Sequence, residues 1–120
     1  MTRYKAIVAY DGSNFFGFQV QTKSGVEVQR TVQGELNKAV NQMAKQPVTP
    51  IKVVGASRTD TGVHAFGQVV HFDLPFDINP VGVSKGLNTL LPRDILIKAV
   101  TKVSDDFHAR FSTHAKRYFY

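Results

Sequence analysis

Cysteine is missing altogether from the 120 residues, so neither a disulfide framework nor a thiolate metal site can contribute. No apolar run is long enough to span a bilayer, and no basic-then-apolar leader opens the chain at Met1. Neither a membrane span nor an export signal is therefore expected, and the expected location is cytoplasmic. A Walker-type phosphate loop and the glycine fingerprint of dinucleotide-binding domains are both absent. The 4 histidines have no metal-ligand spacing with Asp or Glu, so no metal site is expected. There is no internal repeat, low-complexity tract or linker. Acid is scarce: 9 Asp and Glu stand against 15 Lys and Arg, a net charge of +6 with a pI near 9.8. That excess favours a polyanionic partner, and charge alone does not choose between RNA, DNA and a membrane surface. Hydrophobic content of 42% and charged content of 20% are ordinary for a folded protein. The length gives one domain, residues 1–120, large enough for a core.

Tyr4 to Tyr10 alternates and reads as a first strand. Asp11 to Arg30 holds Gly12, Gly17 and Gly25 among Phe15, Phe16 and Phe18 and reads as a long loop. Loops of that length in compact domains usually carry function, although these phenylalanines could equally cover an end of the core. Thr31 is an N-cap for a helix to about Lys45, with Val32, Leu36, Ala39, Val40 and Met43 as one apolar stripe toward a sheet. Pro47 and Pro50 follow it. Ile51 to Ala56 and Gly67 to Asp73 read as strands. Asn79-Pro80 caps a second helix whose stripe is Val83, Leu87 and Leu90, and Pro92 stops it. Asp94 to Val103 and Ala115 to Tyr120 read as strands, while Phe107 to Thr113 has no decisive pattern. Strand, helix, strand, strand, helix, strand is the α+β order of ferredoxin-like sandwiches, an antiparallel sheet with both helices on one face. The opposite face is left for a second domain, a subunit or RNA, and the fold by itself does not fix a function.

The stretch most suited to chemistry is Arg58-Thr59-Asp60-Thr61-Gly62-Val63-His64-Ala65, between two strand-like runs. Asp-Thr-Gly is turn chemistry: Asp bonds its own backbone and Gly takes a positive φ without steric cost. The turn would hold a carboxylate and a guanidinium two residues apart, and a guanidinium nearby favours the ionised carboxylate. His64 is expected to brace this loop. Taken alone, such a turn is more often a plain hairpin loop. Arg110, Lys116 and Arg117 have no acid among them from Phe107 onward, and as a cluster they suit phosphate contacts.

The octapeptide is matched by other blocks in a fixed order. They are Tyr10-Asp11-Gly12 with Phe16-Gly17-Phe18-Gln19, Thr31 to Leu36, Gly67 to Phe72, Leu87 to Ile95, Phe107 to Phe111, and Lys116-Arg117-Tyr118-Phe119-Tyr120. Together they resemble the tRNA pseudouridine synthases of the TruA family over nearly the whole chain. The resemblance implies a uridine-to-pseudouridine isomerase acting on the tRNA anticodon stem-loop, as a homodimer and without a cofactor. It implies Asp60 as nucleophile, Arg58 as an aid in moving the target uridine out of its stack, and Tyr118 as the ring that stacks on the base. Two positions depart from the family pattern: Phe18 stands where Trp is frequent, and Ser57 where Gly is common. The family also has a second domain of similar size after the Arg-x-Tyr region. The chain is thus expected to correspond to the N-terminal half, and to be weak or inactive by itself. Two rivals follow from the residues. One is a non-catalytic RNA-binding module. The other is an aspartic-protease-like dimer through Asp60-Thr61-Gly62, against which Arg58 would disturb the shared proton of a carboxylate dyad.

Overall fold

In the structure, a computed structural model, residues 1–23, 26–27, 30–112 and 118–119 are described, with the side chains at 22, 23, 26, 27, 112, 118 and 119 outside that description. The first strand, β1 (Thr2–Tyr10), buries every second side chain, Tyr4, Ala6, Val8 and Tyr10, as the sequence period requires. The segment after it is less irregular than its composition predicts. Its described residues include a 3-10 turn (Gly12–Asn14) and a two-stranded ladder of β2 (Thr22–Lys23) with β3 (Val26–Glu27).

Helix α1 (Val32–Met43) begins where Thr31 Oγ1 accepts the Gly34 N–H at 3.1 Å, and its buried stripe is Val32, Leu36, Ala39 and Val40. Helix α2 (Pro80–Leu90) begins at Asn79, whose side chain accepts from the Val81 N–H. It buries Val83 and Leu87, but Leu90 is 36% exposed and leaves the expected stripe. Leu90 is the last residue of the helix: the C-cap Leu91 is extended ahead of Pro92 and packs on the core in place of Leu90. Both helices share one core with the inward residues of the sheet. Leu36 and Leu87 are at most 1% exposed, so truncating either to Ala should cost about 2–5 kcal/mol.

The remaining strands are β4 (Val54–Gly55), β5 (His64–Leu74), β6 (Ile95–Val103) and β7 (Tyr118–Phe119). The sheet runs β4-β5-β1-β6, antiparallel throughout, which is the expected ferredoxin-like order. A further strand, β7, pairs with β5 on the edge away from β1. Most of the run expected as a strand from Ile51 to Ala56 does not join a ladder. Its backbone is held by amide side chains of α1 spaced four residues apart. Asn41 exchanges two bonds with Ile51 (2.7 and 2.8 Å), Asn37 accepts from Val53 N–H (2.8 Å), and Gln33 donates to the Val53 carbonyl (2.7 Å). A helix face thus does the work of a neighbouring strand. Asn88 of α2 does the same for Ile97, bonding its N–H and carbonyl at 2.8 and 3.0 Å where the β1–β6 register shifts.

Along β1–β5, Val8 opposes Gln68 and Tyr10 opposes Ala65, so Phe66 and Gly67 together face Ala9. This β-bulge reverses the side-chain parity of β5. Ala65 and Gln68 are both buried, while Phe66 is 56% exposed. On the face away from α1 and α2, Val69, Ala56 and Ala109 form a smaller cluster with Ile7 and Phe107. The run from Phe107 that lacked a decisive pattern continues as one short turn of helix, α3 (Ala109–Ser112). It is tied down by His71, whose Nδ1 accepts the Ala109 N–H at 3.0 Å. His71 is 4% exposed; burial, helped by nearby Arg3 and His108, depresses its pKa to about 4, so the ring stays neutral and keeps its acceptor.

Candidate active site

The link from β4 to β5 carries the octapeptide, and its backbone is bonded at several points before and within it. Ala56 N–H reaches Val69 O at 2.8 Å and Gln68 Nε2 donates to Ser57 O at 2.8 Å. Thr59 is gripped twice: its carbonyl accepts the Phe18 N–H at 3.0 Å, and its hydroxyl shares a buried 2.7 Å hydrogen bond with Tyr10 Oη. Val63 N–H closes the turn onto Asp60 O at 3.1 Å, and Gly62 takes φ +81° inside it. Thr59 is 8% exposed, whereas Arg58 and Asp60 on either side of it are exposed. Thr59 is thus anchored inward, and its two charged neighbours are left in solvent.

The segment after β1 supplies the other half of the grip. Gly17 has φ +83°, and a Cβ there would lie 2.6 Å from Thr59 O, so only glycine lets the two backbones approach this closely. His64 Nδ1 accepts the Gly12 N–H at 2.8 Å and lies 3.2 Å from Asp11 Oδ1, bracing the loop as expected. Asp11 in turn accepts from Ser13, which holds its carboxyl below the usual carboxylate range. The segment itself is fastened from outside. Arg30 forms a bidentate pair with Asp94 at 2.9 and 3.1 Å and lies 4.1 Å from the centre of the Phe15 ring. Asp11 N–H bonds Asp94 O at 3.0 Å, and Phe16 N–H bonds Arg30 O at 2.8 Å.

Phe15 and Phe18 are each 2% exposed and belong to the core, but Phe16 is 45% exposed. Phe16, Gln19, Arg58 and Asp60 line one open hollow of about 370 Å³. Covering an end of the core thus holds for Phe15 and Phe18, whereas Phe16 is turned toward the hollow. Among the described residues no ion pair joins Arg58 to Asp60, contrary to the simplest expectation from their spacing. Both side chains are exposed, and a pair in water gains too little to fix two flexible side chains on each other.

Of the other expected site residues, Arg110 is exposed on α3 and lines a hollow that also takes in Arg58. The backbone of Tyr118 pairs with Ala65, so that strand runs beside the end of the octapeptide. Its side chain is outside the description, and Lys116 and Arg117 lie outside the described residues. Among the described residues no group of three His, Asp or Glu side chains gathers into a metal cluster. The Tyr10–Thr59 bond and the singling out of Phe16 were not foreseen. The only hint of the first was Tyr10 continuing the inward period of β1.

An exposed carboxylate on an anchored turn, beside a guanidinium and an aromatic ring, can act as a nucleophile or a base. Residues 6–112 match the family model for tRNA pseudouridine synthase. The chain is 73% identical over 120 residues to tRNA pseudouridine synthase A of Leuconostoc mesenteroides, covering all of this chain and 47% of that protein. It is 60% identical over 119 residues to the protein of the same name from Lactiplantibacillus plantarum, covering 99% of this chain and 44% of that one. It is 54% identical over 120 residues to that of Oenococcus oeni, covering all of this chain and 45% of the relative. The chain thus spans just under half the length of the curated relatives it matches. The α+β architecture, with helices packed on an antiparallel sheet, and the match across the octapeptide together decide against the aspartic-protease reading: the chain belongs to the tRNA pseudouridine synthase family.

Proposed function

We propose that the chain carries the reacting carboxylate of an enzyme that isomerises uridine to pseudouridine in the anticodon stem-loop of tRNA. The observation that carries this reading is the exposure of Asp60 in a hollow beside Arg58 and Phe16, on a turn whose backbone is bonded on both sides of it. The reaction breaks the bond from ribose C1′ to uracil N1 and makes one from C1′ to C5. N1 gains a proton and C5 loses one, so there is no net redox change and no cofactor is required. Asp60 is the nucleophile in this reading. Arg58 helps move the target uridine out of its stack, and Phe16 offers a ring at the rim for a nucleobase swung out of its stem. Tyr118 stacks on the base, and Arg110, Lys116 and Arg117 hold phosphates. The working enzyme is a cytoplasmic homodimer, with this chain alone weak or inactive. Among the described residues, no helix is long and apolar enough to cross a membrane.

The test is tritium release from tRNA labelled at C5 of uridine. The full-length protein should release tritium and its Asp60→Asn variant should not, while tRNA affinity stays within a few-fold because phosphate contacts dominate binding. Turnover by the Asn variant would remove Asp60 from the chemistry. Absence of release by the folded parent would remove the enzymatic reading and leave an RNA-binding module.

A further inference from the structure

Arg58 lines two hollows, not one. Behind it, away from Asp60, lies a cup of about 230 Å³ whose wall includes Gln19, Lys52, His108 and Arg110 and, among the described residues, no Asp or Glu. Segments far apart in sequence bring these groups together: the stretch from Lys52 to Arg58 on one side, and His108 with Arg110 of α3 on the other. Gln33 also faces the cup, but its carboxamide already bonds Val20 N–H and Val53 O, so it serves as wall.

Among the described residues Lys52, Arg58 and Arg110 make no ion pair, and neither do Lys5, Lys45, Lys85, Arg93 and Lys98; what sets the first three apart is that they line one cup. Converging like charges repel, and the arrangement is relieved by an anion that takes several donors at once. The placement of Lys52 follows from the amides of α1, which hold Ile51 and Val53 on either side of it and turn its own side chain outward. The placement of Arg110 follows from His71, which anchors α3 by Ala109.

We infer that this cup is a phosphate subsite, holding a phosphodiester of the RNA strand next to the nucleotide whose base enters the Asp60 hollow. The inference rests on the uridine reading for which strand is bound, and not for the anion chemistry. Arg58 and Gln19 line both hollows, and in a nucleotide the base and the phosphate are likewise separated only by one sugar. A phosphate suits the cup because Arg offers a planar fork and Lys a point charge, the two donor types that RNA backbones recruit. A base, which is uncharged, would leave three cations unanswered.

The test is anisotropy binding of a fluorescein-labelled tRNA to the full-length protein between about 50 and about 200 mM salt. Lys52→Gln and Arg110→Gln should each weaken binding roughly tenfold at the lower salt. Each should also flatten the slope of log affinity against log salt by about 0.7–0.9, the loss of one phosphate contact. Both side chains are exposed, and circular dichroism checks that the variants fold. Lys85→Gln, exposed on α2 and outside the cup, is the comparison. An unchanged slope in the first two variants overturns the subsite, and so does an equal loss in Lys85→Gln, which would make the effect one of net charge. If the parent releases no tritium but the slopes flatten, the uridine reading fails and the phosphate subsite stands. If the parent turns over and the slopes do not change, the reverse holds.

Discussion

Alanine at Gly17 and at Gly62 separates backbone strain from the contact that fastens the opening segment to the Asp60 turn. The two glycines have nearly the same dihedral, φ +83° and +81°, so an alanine at either position takes the same left-handed penalty, about 1–2 kcal/mol. They differ in surroundings. A Cβ at Gly62 meets nothing within 4 Å, whereas one at Gly17 would sit 2.6 Å from Thr59 O. Backbone must then move on one side, and overpacking of this kind adds about 1–3 kcal/mol. Gly17→Ala should therefore be less stable than Gly62→Ala by about 2 kcal/mol, or roughly 8 °C in melting temperature for a chain of this size. Urea unfolding and thermal melts by circular dichroism measure both. The displaced atom is one residue from Asp60, so tritium release should fall at least about tenfold more in the Gly17 variant, given how steeply rate depends on placement. Equal melting temperatures would refute the argument, because they would mean the two segments do not depend on close approach at this point.

Tyr10→Phe removes one partner of a buried hydrogen bond and leaves the Thr59 hydroxyl behind; it should cost about 1–2 kcal/mol, and turnover should drop while tRNA affinity holds. A variant that melts like the parent would show that Thr59 is held without it. Gly82→Ala, in open space within α2, should stabilise by about 0.5–1 kcal/mol, read as a higher urea midpoint, and a loss would contradict the open surroundings. For His71, the folded pKa is about 4 against 6.5 when free. Between those values the unfolded chain binds the extra proton, so stability falls as pH drops through that window, by at most about 3 kcal/mol. Asp73, held below the usual carboxylate range by its hydrogen bonds from Arg3, adds a loss at still lower pH. Urea midpoints from neutral pH down to 4 should show the decline in the parent and a flatter line in His71→Phe. The variant would start lower by about 1–3 kcal/mol for the unpaired Ala109 N–H, and parallel lines would dismiss His71 as the titrating group.

The strands β1 and β6, both helices with their caps, and the octapeptide between two strands were all readable, because period, N-caps and turn residues are local signals. The pairing of Ile51 and Val53 with Asn37, Asn41 and Gln33 was not. Polar residues on α1 look like solvated surface in a hydrophobicity pattern, and their partners lie in another segment. The same limit hid the Tyr10–Thr59 bond, made across 49 positions of sequence. Spacing also overstated the Arg58–Asp60 pair: two residues apart fixes a common side, not a bond. Phe16 could not be told from Phe15 and Phe18 by composition, since what separates them is which way the loop turns over the end of the core.

The bulge at Phe66 and Gly67 has a consequence for accuracy. A strand can slide past its neighbour only in whole-residue steps, each of about 3.3 Å, and any such step would carry the attached turn with it. Covalent chemistry tolerates errors of about 0.5 Å. The extra residue in β5 sits opposite Ala9, where the β1–β5 register shifts, so it acts as a keyway: sliding the strand would have to move the bulge as well, and the reactive group inherits that indexing.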